Sequence, residues 1–181
     1  MINSAMIAKN FLQTQDLELN PISFEDQQDL IKYLTKDICQ FMDNDPFANN
    51  HEAKRFIEYH IELMKENRVL TLIARKNNAF VGMICLAKIN TGIPEFGLWV
   101  AKHQQNKTYG KQMLNAVYKW ALEQNKFLYL LYPVIATNLA SRKIVEFING
   151  HYLYHKEEII KQHKHVLMYY HVPTLLNCTK K

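Results

Sequence analysis

The chain of 181 residues carries 22 basic against 17 acidic side chains, and its net charge of +5 is dispersed without long like-charge runs, which excludes the dense basic footprint of a nucleic-acid binder. With 48% hydrophobic and 12% aromatic residues, and only five glycines and five prolines, it has material for one packed core and little for linkers. Three widely spaced cysteines (Cys39, Cys85, Cys178) suggest neither a disulfide framework nor a zinc ribbon, and no apolar run approaches the ~20 residues of a membrane span, so a soluble protein of the reducing cytoplasm is expected.

A single domain over residues 1–181 is expected, with residues 1–15 as a loosely held N-terminal arm. "DLELNPI" (Asp16 to Ile22) alternates as a first strand should. Ser23 then offers an N-cap with Asp26 three residues on, and Phe24, Leu30, Ile31 and Leu34 fall on helical spacing. After the turn-rich "MDNDPFANN", the segment "EAKRFIEYHIELMKEN" sets Phe56, Ile57, Ile61 and Met64 on one stripe of a second helix. "RVLTLIARK", "AFVGMICLAKI" and "EFGLWVA" read as three successive strands, the first two separated by the turn residues Asn77 and Asn78. A helix from about Tyr109 to Gln124, a buried strand "KFLYLLYPVI", a shorter helix "NLASRKIVEFI" and a hairpin of "HYLYHKEEII" with "HKHVLMYYHV" complete the chain. Asn149 or Gly150 offers a left-handed cap before that hairpin.

The order is β-α-α-β-β-β-α-β-α-β-β, a run of antiparallel strands with one strand-helix-strand crossover. That order predicts an α/β (α+β) fold: a mixed, mostly antiparallel central sheet flanked by helices. The crossover lies at "WVAKHQQNKTYGKQ", where a polar turn leads into a helix N terminus, a place whose unpartnered N–H groups favour a phosphate or other anion. Gly110 suits a close backbone approach, Gln105, Asn106 and Thr108 can hydrogen-bond locally, and Lys107 and Lys111 add positive charge. The plain alternative is an ordinary strand-to-helix loop.

"QNKTYG" resembles the Gln/Arg-x-x-Gly-x-Gly/Ala pyrophosphate loop of the GNAT superfamily of acyl-CoA-dependent N-acyltransferases, with Gln105 at the first position, Gly110 at the last and Thr108 in place of the middle glycine. "PEFGLWVA" resembles the fourth strand of that family and "NLASRKIVEFI" its Asn-x-x-Ser helix, in the same order, from about Leu17 to Tyr170. The pattern is most similar to the branch that includes ribosomal-protein N-terminal alanine and serine acetyltransferases.

The resemblance implies acetyl-CoA as cofactor, held by Leu98, Trp99 and Val100 of the strand, Gln105 to Lys111 of the turn with Tyr109 opening the helix, and Asn138 and Ser141 of the shorter helix. An amine acceptor is mostly protonated near neutral pH, so a base or a water relay is needed. Glu95, the one acidic residue between Ala79 and Leu122, is the candidate; the alternative is a strand-edge carboxylate facing solvent. Ser141 is the candidate proton donor to the leaving thiolate, because Val145 stands where many related enzymes carry a tyrosine acid. Asn138 is also well suited to be simply an N-cap. Thr108 is a departure with a cost, since a β-branched residue tolerates positive φ poorly. "EFINGHY" lacks the lysine of the family's usual helix ending and has one extra residue before Gly150.

For the acceptor, the connection between the first two helices supplies Asp43, Asp45 and Phe47, and Tyr132 near the end of its strand is the aromatic candidate. The late histidines (His151, His155, His163, His165, His171) have no metal-ligand spacing, and no metal is expected. The expected activity is direct acetyl transfer from acetyl-CoA to a primary amine, a protein N terminus or a small-molecule amine, by a monomer or homodimer without nucleic-acid or membrane partners. The alternative is a catalytically weak acyl-CoA-binding module of the same fold.

Overall fold

One eight-stranded sheet runs through the computed structural model, which describes residues 11–174. Its strands are β1 (Leu12–Gln13), β2 (Glu18–Pro21), β3 (Val69–Lys76), β4 (Ala79–Ala87), β5 (Glu95–Val100), β6 (Leu130–Ile135), β7 (His151–Ile160) and β8 (His163–Val172), in the spatial order β1-β2-β3-β4-β5-β6-β8-β7. Every neighbouring pair is antiparallel except β5 with β6. Two hairpins have two-residue turns with both residues left-handed, Asn77 and Asn78 between β3 and β4, and Lys161 and Gln162 between β7 and β8. Such turns match the twist of the strands they join.

The helices are α1 (Gln27–Tyr33), α2 (Lys36–Cys39), α3 (Asn50–Lys65), α4 (Tyr109–Glu123) and α5 (Leu139–Phe147). α4 begins at the expected residue. α3 begins two residues before the expected Glu52, because the Asn49 side chain accepts the Glu52 N–H at 3.0 Å and caps the helix there. The first helix is shorter than its apolar spacing suggests: a 3-10 turn, Phe24–Asp26, precedes α1, and α2 is a separate turn after Thr35. Asp26 is the reason for the tight start. Its carboxylate accepts from the Ser23 N–H (2.9 Å) and from Arg75 (2.8 Å), and it is buried. The expected arm is held at its end, since Leu12 and Gln13 pair with Leu19 and Glu18; residues 1–10 of that expectation lie outside the described residues.

Each face of the sheet packs its own core. Phe96 of β5 joins Met113, Leu114 and Val117 of α4 on one face, with Leu98 and Val100 partly buried against them. Trp99 belongs to the other face, with Ile57 of α3, Leu30 of α1 and Phe80 of β4. The period-2 alternation of a strand makes this division. Asn149 (φ 59) takes the left-handed position after α5, and a Cβ on Gly150 would lie 2.4 Å from Val145 Cγ2, so that residue must be glycine where the chain turns into β7.

Candidate active site

β5 and β6 are paired at one place, Glu95 opposite Leu131, with the Leu131 N–H donating to the Pro94 carbonyl at 2.8 Å. Beyond Glu95, β5 remains on β4 through Val100 and β6 remains on β8 through Ile135, so the two parallel strands part. The Ala101 N–H reaches back to Val81 of β4, while the Val100 carbonyl accepts from the Gln105 side chain. Because successive residues of a strand turn their backbone groups to opposite edges, Leu98 and Val100 turn theirs toward the parting. A cleft with an unpaired strand edge for a wall suits an extended ligand carrying amide groups.

The loop after β5 ends that cleft. A 3-10 turn, Lys102–Gln104, leads into Asn106 (φ 62) and Thr108 (φ 64), and α4 starts at Tyr109. Thr108 therefore does hold the left-handed conformation that disfavours a β-branched residue. It is braced by Gln112, whose N–H donates to the Thr108 carbonyl (3.1 Å) and whose side-chain amide donates to the Thr108 hydroxyl (3.3 Å). The first N–H groups of α4 have no acceptor within their own helix and point out of its N terminus. Lys107 and Lys111 flank this end, Lys107 donating to Gln104 and Lys111 lying over the Phe147 ring.

Gly110 has a packing reason to be glycine. A Cβ there would lie 3.0 Å from Ile144 Cδ1 and 3.6 Å from Val100 Cγ2, so its absence lets α4 settle on α5 and β5. Gln105 spends its amide closing the loop onto Val100, and Tyr109 is a buried wall beneath Lys76. Sequence reasoning misses Gln112, which also joins Thr14 (2.7 Å) and Asp16 (2.8 Å) and so fastens the β1–β2 turn to the start of α4. Its spacing of four from Thr108 is the one signal of this in the sequence.

On the α4 and α5 side of the cleft, Asn138 caps α5 by accepting the Ser141 N–H at 3.1 Å. Tyr132, the aromatic candidate for the acceptor, lies here, because it alternates with Pro133 and so faces the core that Phe96 faces. Its hydroxyl is 2.8 Å from Ser141 Oγ, and burial pushes the phenol up to about 12. It therefore stays protonated at any physiological pH. As the donor, Tyr132 leaves the Ser141 proton free to point elsewhere.

Glu95 opens β5 on the opposite face, the face of Trp99. It is half-buried, and Lys88 donates to its carboxylate at 2.7 Å. Gly97 follows on this face, with Cys85 Sγ 3.1 Å from where its Cβ would be, and Thr71 is the neighbour of Cys85 across β3. Above this row stands His60 of α3, its Nδ1 2.8 Å from the Thr71 hydroxyl; burial lowers the imidazole to about 4, so it is neutral. Phe56 packs at a tilt against His60 and Phe47 against Phe56 (4.3 and 5.2 Å between ring centres), an aromatic line out to the α2–α3 loop. There Asp45, Phe47, Phe56 and Tyr59 border an open groove of about 570 Å³. Asp43 is exposed and lies outside it.

The two faces are thus separate in chemistry. A polar helix start and a free strand edge lie on one, a carboxylate and an aromatic groove on the other, with the parting of β5 from β6 between them. The first suits an extended ligand with amide groups and an anionic end: the strand edge offers backbone donors and acceptors, and the α4 N terminus with Lys107 and Lys111 offers positive potential. Among the described residues no group of three or more His, Cys, Asp or Glu is placed to hold a metal ion, and no helix is long and apolar enough to cross a membrane.

Residues 16–149 match the model of an acetyltransferase (GNAT) domain. No curated protein matches the chain. In fold, the chain is similar to a ribosomal L7/L12 alpha-N-protein acetyltransferase solved with coenzyme A (15% identity, 90% of this chain and 97% of that one, TM-score 0.83). A Salmonella typhimurium acetyltransferase that modifies the N-terminal serine of L7/L12 is similar at 14% identity over 87% of this chain and 95% of that one, TM-score 0.79. A Vibrio cholerae spermidine N-acetyltransferase solved with CoA and spermine is similar at 16% identity over 88% and 97%, TM-score 0.74.

Proposed function

The chain belongs to the GNAT acetyltransferase family, and on that premise we propose that it transfers an acetyl group from acetyl-CoA to a primary amine in one step within a ternary complex. The observation that carries the reading is the parting of β5 from β6 immediately after Glu95, which puts the backbone of Leu98 and Val100 at the rim of a cleft that opens to both faces. When bound, acetyl-CoA supplies the acyl thioester and the thiolate leaving group. The chain's own residues bind, orient and take the proton of the amine.

The backbone N–H groups of Leu98 and Val100 hold the acyl arm and its carbonyl oxygen by the hydrogen bonds an oxyanion strengthens. The loop from Gln105 to Lys111, with the first turn of α4, holds the pyrophosphate. Glu95 takes the proton that the amine nitrogen loses as its bond to the acetyl carbon forms. Ser141, with its N–H capped by Asn138 and its oxygen 2.8 Å from the Tyr132 hydroxyl, hydrogen-bonds the sulfur as the carbon–sulfur bond breaks, and the thiolate takes its proton from water. Among the described residues no Cys or Ser stands in a nucleophile triad, and the direct transfer requires no acyl-enzyme.

The acceptor arrives by the other face, past Asp45 and Phe47, and is the α-amine of a protein or a small-molecule amine. The α-amine is the easier substrate in one respect, since it titrates near ~8 rather than ~10 and gives up its proton more readily. The two free thiols among the described residues, Cys39 and Cys85, fit a reducing cytoplasm.

Calorimetric titration with acetyl-CoA, followed by a turnover assay on a serine-initiated peptide and on spermidine, tests this reading. Saturable binding with thiol release on either amine is the expected outcome. Binding without release on a wide amine panel would mean the acyl-CoA-binding module instead, and no binding would remove the cofactor.

A further inference from the structure

The turn that joins β7 to β8 crosses the molecule to the acceptor face. Its first residue, Lys161, reaches the end of α2 and the α2–α3 loop, 117 to 122 residues earlier in the chain. There its Nζ donates to the Cys39 carbonyl (3.1 Å) and the Asn44 carbonyl (2.6 Å) and lies 2.9 Å from Asp45 Oδ1. An ammonium has three N–H donors, and the last residue of α2 with two residues of the loop after it supplies three acceptors.

Two further observations set this contact apart from a surface ion pair. Lys161 is 27% exposed while Asp45 is 79% exposed, so the carbonyl of buried Cys39 forms the inner, sheltered part of the contact and the carboxylate the outer part. Lys161 and Gln162 also both hold positive φ (50 and 64), in a two-residue turn where Asn-Gly would cost least. The lysine thus combines an unfavourable backbone conformation with a charge spent on the carbonyls at the end of α2 and in the loop after it.

The loop it holds is one wall of the groove: Asn44, Asp45, Pro46 and Phe47 face Phe56 and Tyr59 across it. The segment from Met42 to Ala48 carries no helix or strand of its own to fix it. We propose that Lys161 is a positioning residue, a latch by which the β7–β8 hairpin holds the α2–α3 loop and so sets the width of the groove that receives the acceptor. This rests on the acceptor entering by that face, as proposed above. It also changes the expectation for Asp45, whose charge is committed to Lys161 before any cationic acceptor arrives.

The test has a readout independent of turnover. Hydrogen exchange is followed by mass spectrometry on the full chain, wild type against Lys161→Met, Lys161→Arg and Asp45→Asn. Lys161→Met is expected to speed exchange in residues 40–48 about tenfold with the sheet unchanged, Lys161→Arg to fall between, and Asp45→Asn to change it less, since the carbonyl contacts remain. Unchanged exchange in Lys161→Met overturns the latch. Steady-state kinetics with a serine-initiated peptide and with spermidine give the second readout: the acceptor KM rises about fivefold while kcat and the acetyl-CoA KM stay within about twofold. Faster exchange with an unchanged acceptor KM overturns the positioning role, and a lowered spermidine KM with unchanged exchange would mean that Lys161 only masks Asp45. Failure of the wild type to use either amine counts against the acceptor reading, while the exchange result decides the latch by itself.

Discussion

On the proposed coenzyme side, everything from Leu98 to Gln112 is contiguous in the chain: a strand edge, a short loop and the first turn of a helix. On the proposed acceptor side, Glu95 comes from β5 and Lys88 from the residue after β4, His60 and Phe56 from α3, Asp45 and Phe47 from the α2–α3 loop, and Lys161 from a hairpin more than a hundred residues later. The first is closed mostly within itself, by the Gln105 amide on the Val100 carbonyl and by Gln112 on Thr108. The second is held by particular side chains, through Lys161 on two carbonyls, Lys88 on Glu95 and His60 on Thr71. Substitutions on the acceptor side should therefore separate chemistry from coenzyme binding, whereas those on the coenzyme side should move both.

The largest effect is expected from Glu95→Gln. Turnover should fall by ~10²-fold or more, the scale of a lost general base, with the acetyl-CoA dissociation constant unchanged in calorimetry. Undiminished turnover would return the base role to water and leave Glu95 as a strand-edge partner of Lys88.

A second expectation concerns pH. His60 titrates at about 4 in the folded protein and near 6.5 when unfolded, so between those values the unfolded chain binds more protons. Stability therefore rises with pH across that window. The contribution, on the order of 3 kcal/mol at most, is complete above about 6.5 and lost as the pH falls toward 4. Thermal melts of the wild type should show this slope and His60→Gln should flatten it; parallel curves would mean that other groups govern the acid limb.

Smaller effects belong to the coenzyme side. Tyr132→Phe removes the donor to Ser141 and should lower kcat about tenfold, the scale of one hydrogen bond strengthened in the transition state, with a smaller change in melting temperature. If kcat holds and only stability falls, the hydroxyl is a packing feature. Thr108→Gly is the mildest: it relieves a left-handed β-branched residue and should stabilise the fold by roughly 1 kcal/mol or less, because the new glycine also loses more entropy on folding. Coenzyme affinity should be equal or tighter. Weaker affinity would show that the Thr108 hydroxyl itself holds a phosphate.

Much of the coenzyme side is legible in the amino-acid sequence, and the reason is local. A strand ending in "WVA", a polar turn and a 3.6-residue apolar repeat from Tyr109 are short-range signals, and α4 starts where that repeat starts. Thr108 is legible as a strained position for the same reason. The role of Gly110 is less so: its tightest neighbour, Ile144, comes from another helix, and nothing within the loop announces it. Position near a strand end makes Tyr132 an acceptor-site candidate in the sequence; the parity of β6 sets it against Ser141, and parity in a strand buried along nearly its whole length cannot be read from an unbroken apolar run.

The sequence by itself determined the alternation of strands and helices, the crossover with its polar helix start, and the family motifs, because each depends on residues within a few positions of one another. Only the tertiary structure decided where β5 leaves β6, which face each side chain of the cleft meets, and that Lys161 closes on the carbonyls of Cys39 and Asn44. Those depend on sheet order and on contacts between distant segments, which close only when the whole sheet has formed and which no local spacing encodes.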